Sequence, residues 1–144
     1  MIRRNLLDLN VLIALTDSEH QHHQKAQDWF ISSGKENWGI CPLTEAGFVR
    51  VTTNPAFRPG RHDLEQATAI LQTLKGHPGY WYWEIKESWV TLTARFAARI
   101  LGHQQVTDAY LLGLAIKENS VLVTFDRGIK YMAGSEFSQN VLIL

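Results

Sequence analysis

The sequence has only one cysteine, Cys41, so no disulfide can form within the chain. Cys41 stands in an apolar stretch, which predicts a small buried side chain in a reducing compartment. Long apolar runs are also missing, so no segment is expected to cross a membrane. Asp8 and Asn10 interrupt the apolar stretch that follows Arg3 and Arg4, which argues against an export signal. These absences favour a cytoplasmic protein.

The chain lacks net charge as well, because 14 lysines and arginines balance 14 aspartates and glutamates. A uniformly basic surface for binding polyanions is therefore not expected. If four of the acids serve as metal ligands, the remaining charges sum to +4, which would suit an anionic substrate. The 144 residues contain no internal repeat or linker, and we expect one domain over residues 1–144.

Four acidic residues stand beside apolar sequence, where a carboxylate would lie against a core. They are Asp8, Glu45, Asp108 and Asp126. A carboxylate in such a place loses hydration and is tolerated only when it is paired, hydrogen-bonded or bound to a cation. Since no lysine or arginine is regularly placed near these four, we expect a cation, and oxygen ligands favour Mg²⁺ or Mn²⁺. Such metals most often act on phosphate, so the first hypothesis is metal-dependent phosphodiester chemistry.

The hydrophobic pattern predicts strands that alternate with helices. Predicted strands cover residues 5–8, 38–41, 80–85, 120–125 and 141–144. Predicted helices cover 10–15, 23–33, 43–53, 64–74 and 92–101, and a further helix is capped by Thr107. Asp63 is expected to cap the helix over 64–74.

Alternating strands and helices predict an α/β fold, in which helices cover both faces of a parallel sheet. Such sheets bind ligands outside the carboxyl ends of their strands. Asp8 and Asp126 stand at two of these ends, and Glu45 and Asp108 stand in the first turns of predicted helices. All four acids are therefore expected at one rim of the sheet.

Short segments around the four acids resemble the PIN-domain ribonucleases. The segments are Leu6-Leu7-Asp8-Leu9-Asn10, Thr44-Glu45, Val106-Thr107-Asp108-Ala109-Tyr110 and Thr124-Phe125-Asp126-Arg127-Gly128. The length of the chain is similar to that of the VapC toxins of bacterial and archaeal toxin–antitoxin pairs. The resemblance implies that Asp8, Glu45, Asp108 and Asp126 bind the metal and are catalytic. It implies supporting polar roles for Asn10 and Thr124.

The same resemblance implies a three-layer α/β/α PIN-like domain and a homodimer. It implies that water activated by Mg²⁺ or Mn²⁺ hydrolyses RNA, which leaves 5′-phosphate and 3′-hydroxyl ends. A type II toxin would be held in check by a small antitoxin with a DNA-binding N-terminal part. The alternatives are a housekeeping RNA-processing nuclease of the same fold and a non-catalytic PIN-like scaffold. The complete set of acids argues against the scaffold.

Three other groups of residues have competing interpretations. The histidines of the run 19–23 resemble a metal cluster, but a structural or solvated role is favoured. The tryptophans Trp81, Trp83 and Trp89 could stack on unpaired bases, pack in the core or contact a partner. Basic residues that could contact phosphate, or simply be solvated, are Arg50, Arg58, Arg61 and Lys75.

Overall fold

The computed structural model describes residues 3–57 and 61–144. Its centre is a four-stranded parallel sheet with strand order β2-β1-β3-β4. The strands are β1 (Asn5–Leu7), β2 (Trp38–Gly39), β3 (Val121–Thr124) and β4 (Val141–Ile143). This arrangement confirms the predicted parallel sheet.

Seven α-helices lie in the described part of the chain. They are α1 (Leu9–Thr16), α2 (His23–Trp29), α3 (Pro42–Thr52), α4 (Leu64–Lys75), α5 (Trp89–Thr93), α6 (Val106–Lys117) and α7 (Arg127–Ala133). A π-helical turn (Phe30–Gly34) extends α2, and 3-10 turns cover Ala94–Arg99, His103–Gln105 and Ser138–Asn140. No helix of the described residues is long and apolar enough to span a membrane.

The two central strands send alternate side chains to opposite faces of the sheet, as the two-residue period of a strand requires. Leu6 and Leu122 pack in one core cluster, together with buried residues of α6 and α7. Leu7 and Val123 pack in a second cluster, with buried residues of α1, α3 and α4. Helices therefore cover both faces, and the three-layer α/β/α architecture is confirmed.

Local sequence explains where the helices begin. Asp63 caps α4, and its carboxylate accepts a hydrogen bond from the Gln66 N–H while Gln66 bonds back to the cap, as predicted for this helix. Pro42 occupies the first turn of α3, where its missing N–H costs nothing. Asp8 and Asp126 cap α1 and α7 with their carboxylates.

The predicted strand over residues 80–85 is wrong. Tyr80 alone forms a parallel bridge, to Trp38, and residues 81–85 have no regular structure. The reason is packing: Trp83 turns into the core and is 1% exposed, and its ring meets that of Trp81 edge to face at 4.7 Å. Burial of these rings determines the path of the backbone more strongly than strand propensity does.

Helix boundaries near the candidate site also differ from prediction. Thr107 does not cap α6, because the 3-10 turn His103–Gln105 leads directly into the helix at Val106. The predicted helix over 92–101 is divided into α5 and the 3-10 turn Ala94–Arg99. Helix α7 was not predicted, since the sequence after Asp126 is also typical of an ordinary turn.

Gly113 of α6 provides a test of the contact between α5 and α6. A Cβ at this position would lie 2.6 Å from the Leu92 carbonyl oxygen and 2.7 Å from the Leu92 Cβ. We expect Gly113→Ala to lower the free energy of unfolding by about 1–3 kcal/mol, because the helices must move apart. Denaturant unfolding measures this change.

The matched control is Gly76→Ala at the end of α4, where the nearest atom to an added Cβ is 3.5 Å away. It should be neutral or stabilising by up to about 1 kcal/mol. Equal losses in the two variants would contradict a close α5–α6 contact.

Candidate active site

The carboxyl ends of β1 and β3 place Asp8 and Thr124 side by side. The two strands pair in parallel with Leu7 opposite Val123, and the Asp8 N–H continues the ladder to the Val123 carbonyl oxygen at 3.0 Å. The Thr124 hydroxyl then donates to Asp8 Oδ2 at 2.7 Å. Thr124 accepts in turn from the Asp126 N–H at 3.0 Å. One buried hydroxyl therefore connects the two strand ends.

Asp8 is 6% exposed, and both of its carboxylate oxygens have donors. Oδ2 accepts from Thr124, and Oδ1 accepts from the Leu9 N–H at 2.7 Å. Burial raises the pKa of Asp8, the hydrogen bonds from Thr124 and Leu9 oppose that rise, and the negative charge of Asp126 adds to it. The side chain is thus held in one orientation at the rim.

Asp108 lies in the first turn of α6 and faces the same rim. Burial, followed by the negative charges of Asp8 and Asp126, raises the pKa of Asp108 to about 7. Within the described residues, none of these three aspartates forms an ion pair. Asp8, Asp108 and Asp126 therefore form a cluster of like charge, which we call the aspartate cluster.

Glu45 differs from the aspartates in its surroundings. It lies in the first turn of α3, and its Oε2 is 3.0 Å from Lys75 Nζ of α4. Burial, followed by the negative charge of Glu45 and smaller effects of Tyr82 and Cys41, raises the pKa of Tyr80 to about 12. Glu45 is not among the groups that raise the pKa of Asp8 or Asp108. No lysine or arginine is regularly placed near the four acids in the sequence, but in the structure Lys75 accompanies Glu45.

The arrangement does not form a ready-made metal site. In residues 3–57 and 61–144, no three histidine, cysteine, aspartate or glutamate side chains converge closely enough to hold one ion. Asn10 is exposed on the first turn of α1, and the hydrogen bonds to the Asp8 carboxylate come from Leu9 and Thr124 instead. The donor chemistry of the aspartate cluster still suits a hard cation, since all its donors are oxygens and no cation among the described residues pairs with it.

The histidines of the run 19–23 have local contacts. The His23 ring is hydrogen-bonded to the Ala14 carbonyl oxygen at 2.7 Å. His20 Nδ1 accepts from the His22 N–H, and the His22 ring stacks on Phe125 at 4.7 Å. These contacts fit the structural role favoured by the sequence.

Two of the three tryptophans are partly or fully covered within the chain. Trp83 is in the core, and the Arg4 guanidinium lies 3.9 Å from the ring centre of Trp81. Trp89 is more open, and its ring N–H donates to the Val106 carbonyl oxygen at 2.8 Å.

Trp89 borders a surface feature that the sequence did not reveal. This feature, which we call the apolar groove, has a volume of about 350 Å³ and is lined by Leu43, Ile85, Trp89, Val106, Thr107 and Tyr110. Its lining includes the two residues that precede Asp108 in the sequence. No pattern of neighbouring residues signals it, because the lining comes from α3, α5, α6 and the irregular segment between α4 and α5.

The four basic residues that could contact phosphate differ in their surroundings. Arg50 and Arg61 are exposed, Lys75 is paired with Glu45, and Arg58 lies outside the described residues.

Comparison with known proteins identifies the family. The PIN domain model matches residues 6–135. Ribonuclease VapC38 of Mycobacterium tuberculosis (strain ATCC 25618 / H37Rv) is 41% identical over 128 residues, which are 89% of each chain. Ribonuclease VapC44 of Mycobacterium tuberculosis (strain CDC 1551 / Oshkosh) is 35% identical over 130 residues, which cover 90% of this chain and 91% of the relative.

Solved structures agree with the fold. The crystal structure of VapBC2 from Rickettsia felis bound to a DNA fragment from their promoter has a TM-score of 0.63 at 13% identity, and the match covers 97% of this chain and 96% of that chain. The DNA-bound VapBC from Salmonella typhimurium gives a TM-score of 0.61 at 13% identity over 99% and 98% of the two chains. With the sequence relatives, these matches show that the chain belongs to the PIN-domain family and, within it, to the VapC ribonucleases.

Proposed function

We propose that this protein is an endoribonuclease and acts as the toxin of a type II toxin–antitoxin pair. The observation that carries this proposal is the aspartate cluster, which sits at the carboxyl rim of the sheet in a chain that belongs to the VapC ribonucleases. Its expected substrate is RNA, and its expected compartment is the cytoplasm, where a free Cys41 thiol persists.

We assign Asp8, Asp108, Asp126 and Glu45 as the residues that hold a divalent cation, which is Mg²⁺ or Mn²⁺ because the donors are oxygens. When bound, the cation supplies the positive charge that activates a water and offsets the charge developing on the phosphate. The four acids supply the negative charge of the site and orient the cation. Thr124 supports Asp8, and Asn10 stands at the rim as a further polar group.

Hydrogen bonds within the protein hold two acids of the site in place before any cation or RNA binds. The Thr124 hydroxyl and the Leu9 N–H fix both oxygens of Asp8. The Asp126 carboxylate accepts from the Gly128 N–H at 2.8 Å, which fixes its position at the start of α7. Two of the proposed ligands are therefore preorganised by the caps of the helices that they begin.

A small antitoxin is the proposed partner, and two solved structures of similar fold are described as VapBC bound to DNA. The aspartate cluster would attract an arginine of such a partner, whose planar guanidinium can bridge two carboxylates. The apolar groove lies next to Asp108 in sequence and offers apolar side chains for the rest of the segment. We also expect a homodimer.

Substitution of Asp8 tests the assignment of the site. Asp8→Asn should lower cleavage of total cellular RNA in the presence of Mn²⁺ by at least about 100-fold, because it removes one charge of the site with little change in shape. Asparagine also keeps the cap of α1, so the fold should persist. RNA end mapping and thermal melting measure the two effects together.

The control is Asp63→Asn, which makes the same change at the cap of another helix, α4, and involves none of the four acids. It should cleave like the wild type. An Asp8→Asn protein that remains fully active would refute the proposed site, and a folded wild type that cleaves no RNA would refute the proposed function.

The raised pKa of Asp108 predicts how stability depends on pH without divalent cations. The pKa of this group rises from 3.8 to about 7 on folding. Its contribution to stability is therefore fully present below about pH 4 and is lost as the pH rises through about 7. We expect the free energy of unfolding of Asp108→Asn to exceed that of the wild type at pH 8 by about 1–2 kcal/mol. This range is smaller than the full pKa shift would give, because the side chain is partly exposed and water screens its charge.

Urea unfolding at pH 5 and pH 8 in the presence of a chelator measures this difference. The stability gap between variant and wild type should be smaller at pH 5, where Asp108 of the folded wild type is protonated. A gap that does not change with pH would contradict the electrostatic origin of the effect.

The groove prediction concerns antitoxin binding. Val106→Glu places a negative charge in the apolar groove, two residues before Asp108 in the sequence, and should weaken binding of the co-purified antitoxin at least about tenfold. The matched control is Val90→Glu on α5, because Val90 is 71% exposed and does not line the groove. Unchanged affinity in Val106→Glu, measured by calorimetry, would exclude the groove from the interface.

A further inference from the structure

The ion pair between Lys75 and Glu45 connects two helices at the rim. Lys75 lies in the last turn of α4, and Glu45 lies in the first turn of α3. Lys75 Nζ donates to Glu45 Oε2 at 3.0 Å and also lies 5.6 Å from the ring centre of Tyr82. The side chains of Lys75 and Glu45 are 35% and 21% exposed, so the pair is partly shielded from water.

This pair divides the four acids into two groups. The aspartate cluster has no ion-pair partner among the described residues, whereas Glu45 already has a cation of its own. A carboxylate that is neutralised by an ammonium group is a poorer ligand for a second cation, because both cations compete for the same oxygens. Lys75 therefore opposes the participation of Glu45 in a metal site.

The surroundings of Glu45 contain a second polar group that the present arrangement leaves unsatisfied. The Tyr80 hydroxyl is buried and has no hydrogen-bond partner within residues 3–57 and 61–144, although the charge of Glu45 acts on it. A buried hydroxyl without a partner is costly, and a carboxylate oxygen is a strong acceptor for it. While Glu45 contacts Lys75, the nearby Tyr80 hydroxyl is thus left without an acceptor among the described residues.

We propose that Lys75 is an internal cation that competes with the divalent cation for Glu45, and so sets how tightly the site binds its metal. This inference rests on the proposed function, because it requires that Glu45 is a metal ligand. Lys75 then affects the metal only through Glu45, and it lowers the metal affinity of the resting site.

A purely structural role for Lys75 makes the opposite prediction. If Lys75 only holds Glu45 in a geometry that suits the metal, then removing the charge of Lys75 makes the Glu45 side chain more mobile and weakens metal binding. If Lys75 competes for Glu45, the same change frees a ligand and tightens metal binding. The sign of the change in affinity therefore distinguishes the two roles.

The experiment is calorimetric titration of the full chain with Mn²⁺. Lys75→Met keeps most of the length of the side chain and removes its charge, and we expect it to tighten Mn²⁺ binding about three- to tenfold. Lys75→Arg keeps the charge and should stay within about twofold of the wild type. The result does not depend on cleavage activity.

The matched control is Lys117→Met. Lys117 Nζ lies 2.5 Å from Glu87 Oε2, and its side chain is 40% exposed, so this variant breaks a similar ion pair that involves none of the four acids. It should leave Mn²⁺ affinity unchanged. Equal tightening in Lys75→Met and Lys117→Met would show a general effect of net charge and would overturn the inference.

A double-mutant cycle tests whether the effect passes through Glu45. In a Glu45→Gln background, Lys75→Met should change Mn²⁺ affinity much less than it does in the wild type. An equal change in both backgrounds would overturn the inference, as would weakened or unchanged binding in Lys75→Met. In these cases the proposed function stands, whereas a folded wild type that binds no Mn²⁺ would refute the proposed metal site and the inference with it.

Discussion

The parallel pairing of β1 with β3 is the constraint on which both the core and the candidate site depend. Its register places Leu7 opposite Val123 and brings the Thr124 hydroxyl to Asp8 at 2.7 Å. A slip of one residue would exchange the faces of the strand and expose the apolar side chains that fill the two core clusters. The same slip would take Asp8 away from Thr124. Burial of apolar side chains therefore also fixes the chemistry at the rim.

Two acids of the site have a structural task as well as a proposed chemical one. Asp8 and Asp126 cap α1 and α7, and each accepts a hydrogen bond from a backbone N–H of its own helix. An aspartate at a helix start satisfies donors that the helix leaves free and interacts favourably with the positive end of its dipole. This stabilisation offsets part of the cost of burying Asp8. Asparagine retains the cap, so the two tasks can be separated by substitution.

The sequence predicted the sheet and its coverage by helices, since these follow from the strand period and from the alternation of strands with helices. It placed all four acids at one rim, whereas the structure shows electrostatic coupling among Asp8, Asp108 and Asp126 and pairs Glu45 with Lys75. The aromatic segment 80–85 was missed because the burial of Trp83, and not strand propensity, determines its path. The pairing of Lys75 with Glu45 was missed because the two residues are 30 apart and meet only through the packing of α3 on α4. Contacts between helices that are distant in sequence leave no local pattern, and the apolar groove escaped prediction for the same reason.

The like charges of the aspartate cluster explain why positive groups are expected to bind at the proposed site. Folding brings Asp8, Asp108 and Asp126 together at a cost that appears in the raised pKa of Asp108, whereas the proposed chemistry needs these groups ionised. Under the proposed function, a bound divalent cation would relieve the repulsion and make the site active. An arginine of an antitoxin would relieve the same repulsion and leave the site inactive. Lys75 neutralises Glu45, which takes no part in that repulsion, and it does so from within the chain because α4 packs beside α3. The proposed metal and the proposed partner would therefore compensate the charge of the aspartate cluster, whereas Lys75 compensates only the charge of Glu45, so the two groups of acids should respond differently when a cation binds.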